Sequence, residues 1–145
     1  MRLALRRRPA YRGQFNHRQR CRHADRHRAI RRHRRPLAHL HQVGRCQAPD
    51  FTSAGGHLNP AGNTHGTLSP TGPHLGDLPN IEIGASRTGS VTAELGAAST
   101  LALAHLFDED GTAIVVHAQA DDYRTDPTGN AGGRIACGVV GRVSG

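Results

Sequence analysis

The chain has no tryptophan, one methionine and only five aromatic residues among 145, and it has no lysine, so all nineteen basic residues are arginine. With so few large aromatic side chains, any hydrophobic core is a small one. No apolar run approaches the roughly 18 residues that a membrane-spanning helix requires. Met1-Arg2-Leu3-Ala4-Leu5 opens like the charged start of a signal peptide. Arg6-Arg7-Arg8 follows at once and no apolar stretch succeeds it, so no signal peptide is visible. Three cysteines, Cys21, Cys46 and Cys137, permit at most one internal bridge. No internal repeat is present.

Charge divides what is there into two unlike pieces. Residues 1–35 hold fourteen of the nineteen arginines and one acid, Asp25, a formal +13. Residues 36–145 hold five arginines against ten acids, a formal −5. The overall +8 describes neither piece. The first has no alternation of apolar and polar residues and switches abruptly to ordered-looking sequence at Pro36. Three readings fit it: a basic arm binding nucleic acid non-specifically through phosphate contacts, a solvated disordered segment, or a coding sequence read out of frame. The last is expected here, and translation of the DNA upstream of Pro36 in the other frames tests it.

The second piece concentrates histidine. His39-Leu40-His41 is an i, i+2 pair, which a strand would turn to one face. His117 ends the β-branched run Thr112-Ala113-Ile114-Val115-Val116, which reads as a buried strand. Between them the stretch from His57 to Asp77 is rich in Gly, Pro, Asn and Thr, yet carries His57, His65, His74 and Asp77. Three imidazoles and a carboxylate form a tetrahedral zinc set, and imidazole-only sites suit copper. Taken singly, a loop histidine is ordinary polar surface, His39 and His41 could extend the basic run, and His117 could be a core histidine. His105 has no motif around it.

The local sequences join these residues. They are His39-Leu40-His41-Gln42-Val43-Gly44, Ser53-Ala54-Gly55-Gly56-His57-Leu58-Asn59-Pro60, His65-Gly66 and Gly72-Pro73-His74-Leu75-Gly76-Asp77-Leu78-Pro79-Asn80. Val115-Val116-His117-Ala118-Gln119-Ala120-Asp121-Asp122 and Gly129-Asn130-Ala131-Gly132-Gly133-Arg134-Ile135-Ala136-Cys137-Gly138-Val139 follow. Together they resemble copper–zinc superoxide dismutase of the bacterial, periplasmic type over residues 37–145. Leu37-Ala38 departs from that family, which carries a Gly-Phe or Gly-Val type pair there.

The resemblance implies copper held by His39, His41, His57 and His117, and zinc held by His57, His65, His74 and Asp77, with His57 shared. It implies that Asp121 orients one ligand of each metal. Asp122 is its neighbour, and the spacing from His117 selects Asp121. Arg134 would attract and position superoxide beside the copper, with His57 the second catalytic residue. Cys46 and Cys137 would form the disulfide, leaving Cys21 over. The implied activity is conversion of superoxide to O2 and H2O2 by copper redox cycling beside a structural zinc, with a homodimer possible. The implied compartment is the periplasm or cell exterior. The alternative is an inactive or non-catalytic metal-binding remnant with a nucleic-acid-binding arm.

Short apolar segments separated by Gly and Pro read as an all-β sandwich or barrel. Strands are expected at Ile81-Glu82-Ile83, Gly89 to Leu95, Thr112 to His117 and Arg134 to Val143. Thr100-Leu101-Ala102-Leu103 reads as a strand or a turn leading to one, Phe107 to Gly111 as a turn, and Asp121 to Gly133 as a polar loop. The family fold is an eight-stranded Greek-key barrel, of which about five strands are visible, so the domain at 36–145 is expected to lack strands at its N-terminal end. Such a barrel leaves sheet edges open.

Overall fold

The structure, a computed structural model, describes residues 2–4, 36–83, 88–95 and 100–141. Cys21 and nearly all of the arginine-rich segment lie outside them. Within the described residues the order is β1 (Arg2–Ala4), β2 (Ala38–His41), a 3-10 turn (Thr52–Ala54), β3 (Ser90–Thr92), α1 (Thr100–Leu106), β4 (Ala113–His117) and β5 (Arg134–Val139). The strands form two antiparallel sheets, β1–β3 and β2–β4–β5.

β4 is the central strand, and its β-branched run is buried throughout. Strand alternation sorts its side chains. Ile114 and Val116 join Ala38, Leu40, Leu58, Leu78, Ile81, Leu106 and Val140 in the main core. Ala113 and Val115 pack on the other face with Ala54, Cys46 and Cys137. β2 pairs His39 with Val115 and His41 with Ala113, so both histidines share that second face. The β4–β5 register shifts between Val116 and His117, a bulge of the kind that re-aims a side chain beside a site.

The loop after β2 returns to seal that strand's outer edge. Leu40 N–H donates to Gly76 O (2.9 Å) and Leu58 N–H to Leu40 O (2.8 Å), while Gln42 N–H reaches Gly56 O (3.0 Å). These bonds bring His57 opposite His41 and Asp77 opposite His39. Gly76 is required here, because a Cβ would collide with Leu40 O. The Cys46–Cys137 disulfide ties the same loop to β5, with 5.6 Å between Cα atoms.

Four expectations are corrected. Thr100–Leu106 is an α-helix. Its Leu and Ala residues are strong helix formers, and Ala102 and Leu106, four apart, supply the buried stripe. Ile81-Glu82-Ile83 is not a strand. Ile81 donates its N–H to Pro36 O (2.9 Å), and proline has no N–H to return the pairing. The strand expected over 89–95 is confined to Ser90–Thr92, and β5 ends at Val139. The turn before Gly111 is present, with Gly111 at φ 65°.

Candidate metal centre

All six histidines of the motifs converge with Asp77 in one buried cluster. His39, His41 and His65 have no exposed surface, and His117, His74 and His57 retain 3%, 5% and 8%. None is loop surface, and His39 and His41 do not continue the basic run. His105 stands apart and exposed at the end of α1.

Hydrogen bonds at the far side of each ring decide which nitrogen faces inward. His41 Nδ1–H donates to Gly55 O (2.9 Å) and His117 Nδ1–H to Gly132 O (3.1 Å). Their Nε2 atoms then face each other at 3.5 Å with no proton between them. His39 Nε2–H donates to Asp121 Oδ2 (3.3 Å), which leaves His39 Nδ1 buried without a partner. His57 Nε2 is likewise buried and partnerless. Four inward lone pairs thus meet: His39 Nδ1, His41 Nε2, His57 Nε2 and His117 Nε2. Lone pairs cannot bond to one another, so the set is satisfied by a cation.

The other ring nitrogen of His57 belongs to a second set. Its Nδ1 lies 3.3 Å from His74 Nδ1 and 3.3 Å from Asp77 Oδ1. His65 Nδ1 and His74 Nδ1 stand 3.1 and 3.2 Å from the same oxygen. Ligands held about 2.0–2.1 Å from a tetrahedral zinc stand about 3.3 Å from one another. The cluster therefore has the edge lengths of a tetrahedral zinc site. By proximity alone His39 also enters this set, with Nε2 3.9 Å from Asp77 Oδ1. Its Nε2 is engaged by Asp121, so its free nitrogen belongs to the first set. His74 takes the place in the second, its Nε2 being held by Asn63 O (3.1 Å).

Asp121 joins the two sets. It accepts from His39 on one side and from His65 Nε2 (2.9 and 3.1 Å) on the other, and Tyr123 N–H pins its Oδ1 (2.8 Å). Burial raises its carboxyl pKa, but the His39, His65 and Tyr123 hydrogen bonds outweigh that and the net shift is downward. Asp77 follows the same pattern: burial opposes ionisation, and His57 with Gly66 N–H overcomes it. Burial is the main cause that lowers His39 to about 4 and His41 to about 3. His57 and His117 are also lowered, chiefly by burial. These four rings are neutral at ordinary pH, the state a metal requires.

Arg134, the first residue of β5, donates Nη1–H to Phe51 O (2.7 Å) and Nη2–H to Gly55 O (2.7 Å). Gly55 O therefore anchors both His41 and Arg134. Burial lowers the arginine somewhat, yet a guanidinium remains charged. Two of its five N–H groups are used by these carbonyls.

Sequence reasoning missed a supporting layer. Asn80 accepts from Asp121 N–H (2.9 Å) and donates to Tyr123 Oη (2.7 Å), and Asp126 accepts from His65 N–H (2.7 Å). Gly129, at φ 63°, packs so closely that a Cβ would strike Asp121 Oδ1 and His65 Nε2. Asp126-Pro127 and Gly129-Asn130 were legible only as turn formers.

The description of copper/zinc superoxide dismutase matches residues 15–140 of this chain. The chain belongs to the copper/zinc superoxide dismutase family. The match begins ahead of Leu37, inside the arginine-rich segment. Superoxide dismutase [Cu-Zn] 1 of Aquifex aeolicus is 51% identical over 106 residues, covering 70% of this chain and 62% of the relative. Superoxide dismutase [Cu-Zn] of Caulobacter vibrioides is 47% identical over 112 residues, covering 71% and 62%. This chain thus spans about three fifths of the length of these curated relatives. A solved superoxide dismutase-like protein from Bacillus subtilis superposes with a TM-score of 0.67 at 42% identity, covering 77% of this chain and 75% of that one. The all-β Greek-key fold class stands on that likeness. Copper and zinc are the metals of the family, and the two donor sets fit them. No helix among the described residues is long and apolar enough to cross a membrane.

Proposed function

We propose that this protein is a superoxide dismutase, converting two superoxide anions and two protons to O2 and H2O2. The observation that carries the reading is the set of four inward imidazole nitrogens, His39 Nδ1, His41 Nε2, His57 Nε2 and His117 Nε2, adjoining a tetrahedral donor set through His57. His39, His41, His57 and His117 would hold copper, and His57, His65, His74 and Asp77 would hold zinc. Copper bound there would supply the one-electron chemistry. The protein's own share is positional. Asp121 keeps His39 and His65 in the tautomers that leave Nδ1 free. Gly55 O and Gly132 O do the same for Nε2 of His41 and His117. Arg134 places a fixed cation beside the site, which draws in a small anion. His57 Nε2, buried and without a partner, would be able to hold a proton for the product.

Residues 36–145 would act as the working domain, in the periplasm or outside the cell as the bacterial relatives suggest. The test is metal content and superoxide consumption of the purified chain after loading with copper and zinc. One of each metal per chain, with cyanide-sensitive turnover lost in His117→Ala, is the expected result. Substoichiometric metal without turnover overturns the proposal.

A second reading rests on the charge of residues 1–35: a non-catalytic metal-binding chain whose arm holds nucleic acid. Salt-dependent binding to random DNA, lost on removing that segment, together with absent turnover, would favour it.

A further inference from the structure

The tetrahedral donor set of His57, His65, His74 and Asp77 is buried, so a cation reaches it only by passing between its members. His65 has no exposed surface, and His57 is shared with the imidazole set. Of the four, only His74 and Asp77 line a cavity, of about 570 Å³, whose floor is therefore the outer side of this set. The facing wall comes from the segment between β3 and the end of α1, and it carries Glu94 and His105. Both are exposed, as is Leu101 on the same wall, so this wall is also the mouth.

The lining sorts its donors into two pairs. Pro60, Pro73, Leu75 and Leu95 supply apolar surface, which offers a metal ion nothing to bind, and no arginine lines the cavity. Glu94 with His105 stands at the mouth, and Asp77 with His74 at the floor. Each pair is one carboxylate and one imidazole, donors that suit zinc. Apolar walls around charges of one sign focus the field on an approaching ion.

The inner pair is unequally held. Asp77 Oδ2 accepts from Gly66 N–H (2.8 Å) and His74 N–H (3.0 Å), which fixes the carboxylate. The His74 ring has one anchor on its far side, the bond from Nε2–H to Asn63 O (3.1 Å), and Asn63 lines the same cavity. Turning that ring breaks this single bond and opens the way to Asp77 Oδ1.

We propose that Glu94 and His105 form an entry site at the mouth of this cavity, which captures Zn2+ from solvent and passes it to His74 and Asp77. The inference rests on the zinc assignment proposed above. Two ligands replace only part of the ion's water, so the outer pair holds it loosely and the four inner donors take it. An entry site lowers the barrier in both directions. It therefore speeds loading and release alike and leaves the equilibrium affinity unchanged.

The test is stopped-flow loading and release of Co2+ on the full-length chain, because Co2+ in a tetrahedral site absorbs visible light and reports the inner set. The double variant Glu94→Gln with His105→Gln removes both outer donors. Glu109→Gln removes the same charge from an exposed position off the cavity. The proposal expects loading of the double variant to slow about tenfold, release to slow by the same factor, and affinity to stay at the parental value. Parental rates in the double variant overturn it. So does equal slowing in Glu109→Gln, which would mean that surface charge in general attracts the ion. Weaker affinity with unchanged loading also overturns it, because the two residues then act on the final site. A parent chain that takes up no Co2+ overturns the zinc assignment together with this proposal, whereas the other three results leave that assignment standing.

Discussion

Asp121→Asn isolates the residue that joins the two donor sets, and it preserves volume and shape. The change converts one carboxylate oxygen into an NH2 donor. Tyr123 N–H lies 2.8 Å from Oδ1, so the amide oxygen is expected there and the NH2 group at the Oδ2 position. His65 Nε2 is 2.9 Å from Oδ1 and 3.1 Å from Oδ2, so its N–H keeps an oxygen acceptor in either orientation of the amide. His39 Nε2 contacts Oδ2 alone, at 3.3 Å, so its N–H then confronts the NH2 group and loses its acceptor. His39 can relieve the clash by moving its proton to Nδ1, which takes that nitrogen out of the imidazole set. Partners that orient a metal ligand are worth about 10–100-fold in metal affinity, or roughly 1.4–2.7 kcal/mol. The full loss is expected for copper, whose set contains His39, and a smaller one for zinc. Competition titration of each metal against a chelator of known affinity measures both. Unchanged copper affinity, or a loss confined to zinc, would refute the reasoning.

Three further outcomes are expected. The metal-free chain should lose stability as pH falls below 6.5: burial holds His39 near 4 and His41 near 3, so the unfolded chain takes up protons that the folded one refuses. Each ring contributes about 1.4 kcal/mol per pH unit, roughly 2 kcal/mol by pH 5, and equal urea midpoints at pH 7 and pH 5 would contradict this. Gly129→Ala should cost at least about 1–2 kcal/mol from the left-handed backbone alone, and more from displacing Asp121, seen as a lowered Tm. Reducing the Cys46–Cys137 bridge, which spans 91 residues, should cost roughly 4–5 kcal/mol in the chain-entropy account, and urea unfolding with and without reductant measures it.

Much of the fold class was legible because strands announce themselves by alternation. The run from Thr112 to His117 is β-branched and apolar, and its burial on both faces follows from its central place. α1 was not legible, because Leu101-Ala102-Leu103 alternates as a strand does. Its helix depends on where the buried stripe falls, and that is set by the core into which Ala102 and Leu106 pack. Ile81 reads as strand and is buried as a strand residue would be, but the chain it meets is Pro36, which cannot return a bond.

The resemblance to the family implied the sorting into an imidazole set and a mixed set, while the sequence by itself determined which candidate donors are present and their order along the chain. Those are local properties: residue identity, the i, i+2 spacing of His39 and His41, and a loop too rich in Gly and Pro to be a regular element. The tertiary structure decided which nitrogen of each ring faces inward. That choice is made by Gly55 O, Gly132 O, Asn63 O and Asp121, the last lying 82 residues from His39 and 56 from His65. An imidazole has two nearly equivalent tautomers, and only a partner placed by the fold can separate them. The tertiary structure also decided that the β2 edge of the sheet is closed by the metal loop, because edge pairing depends on which distant backbone arrives alongside.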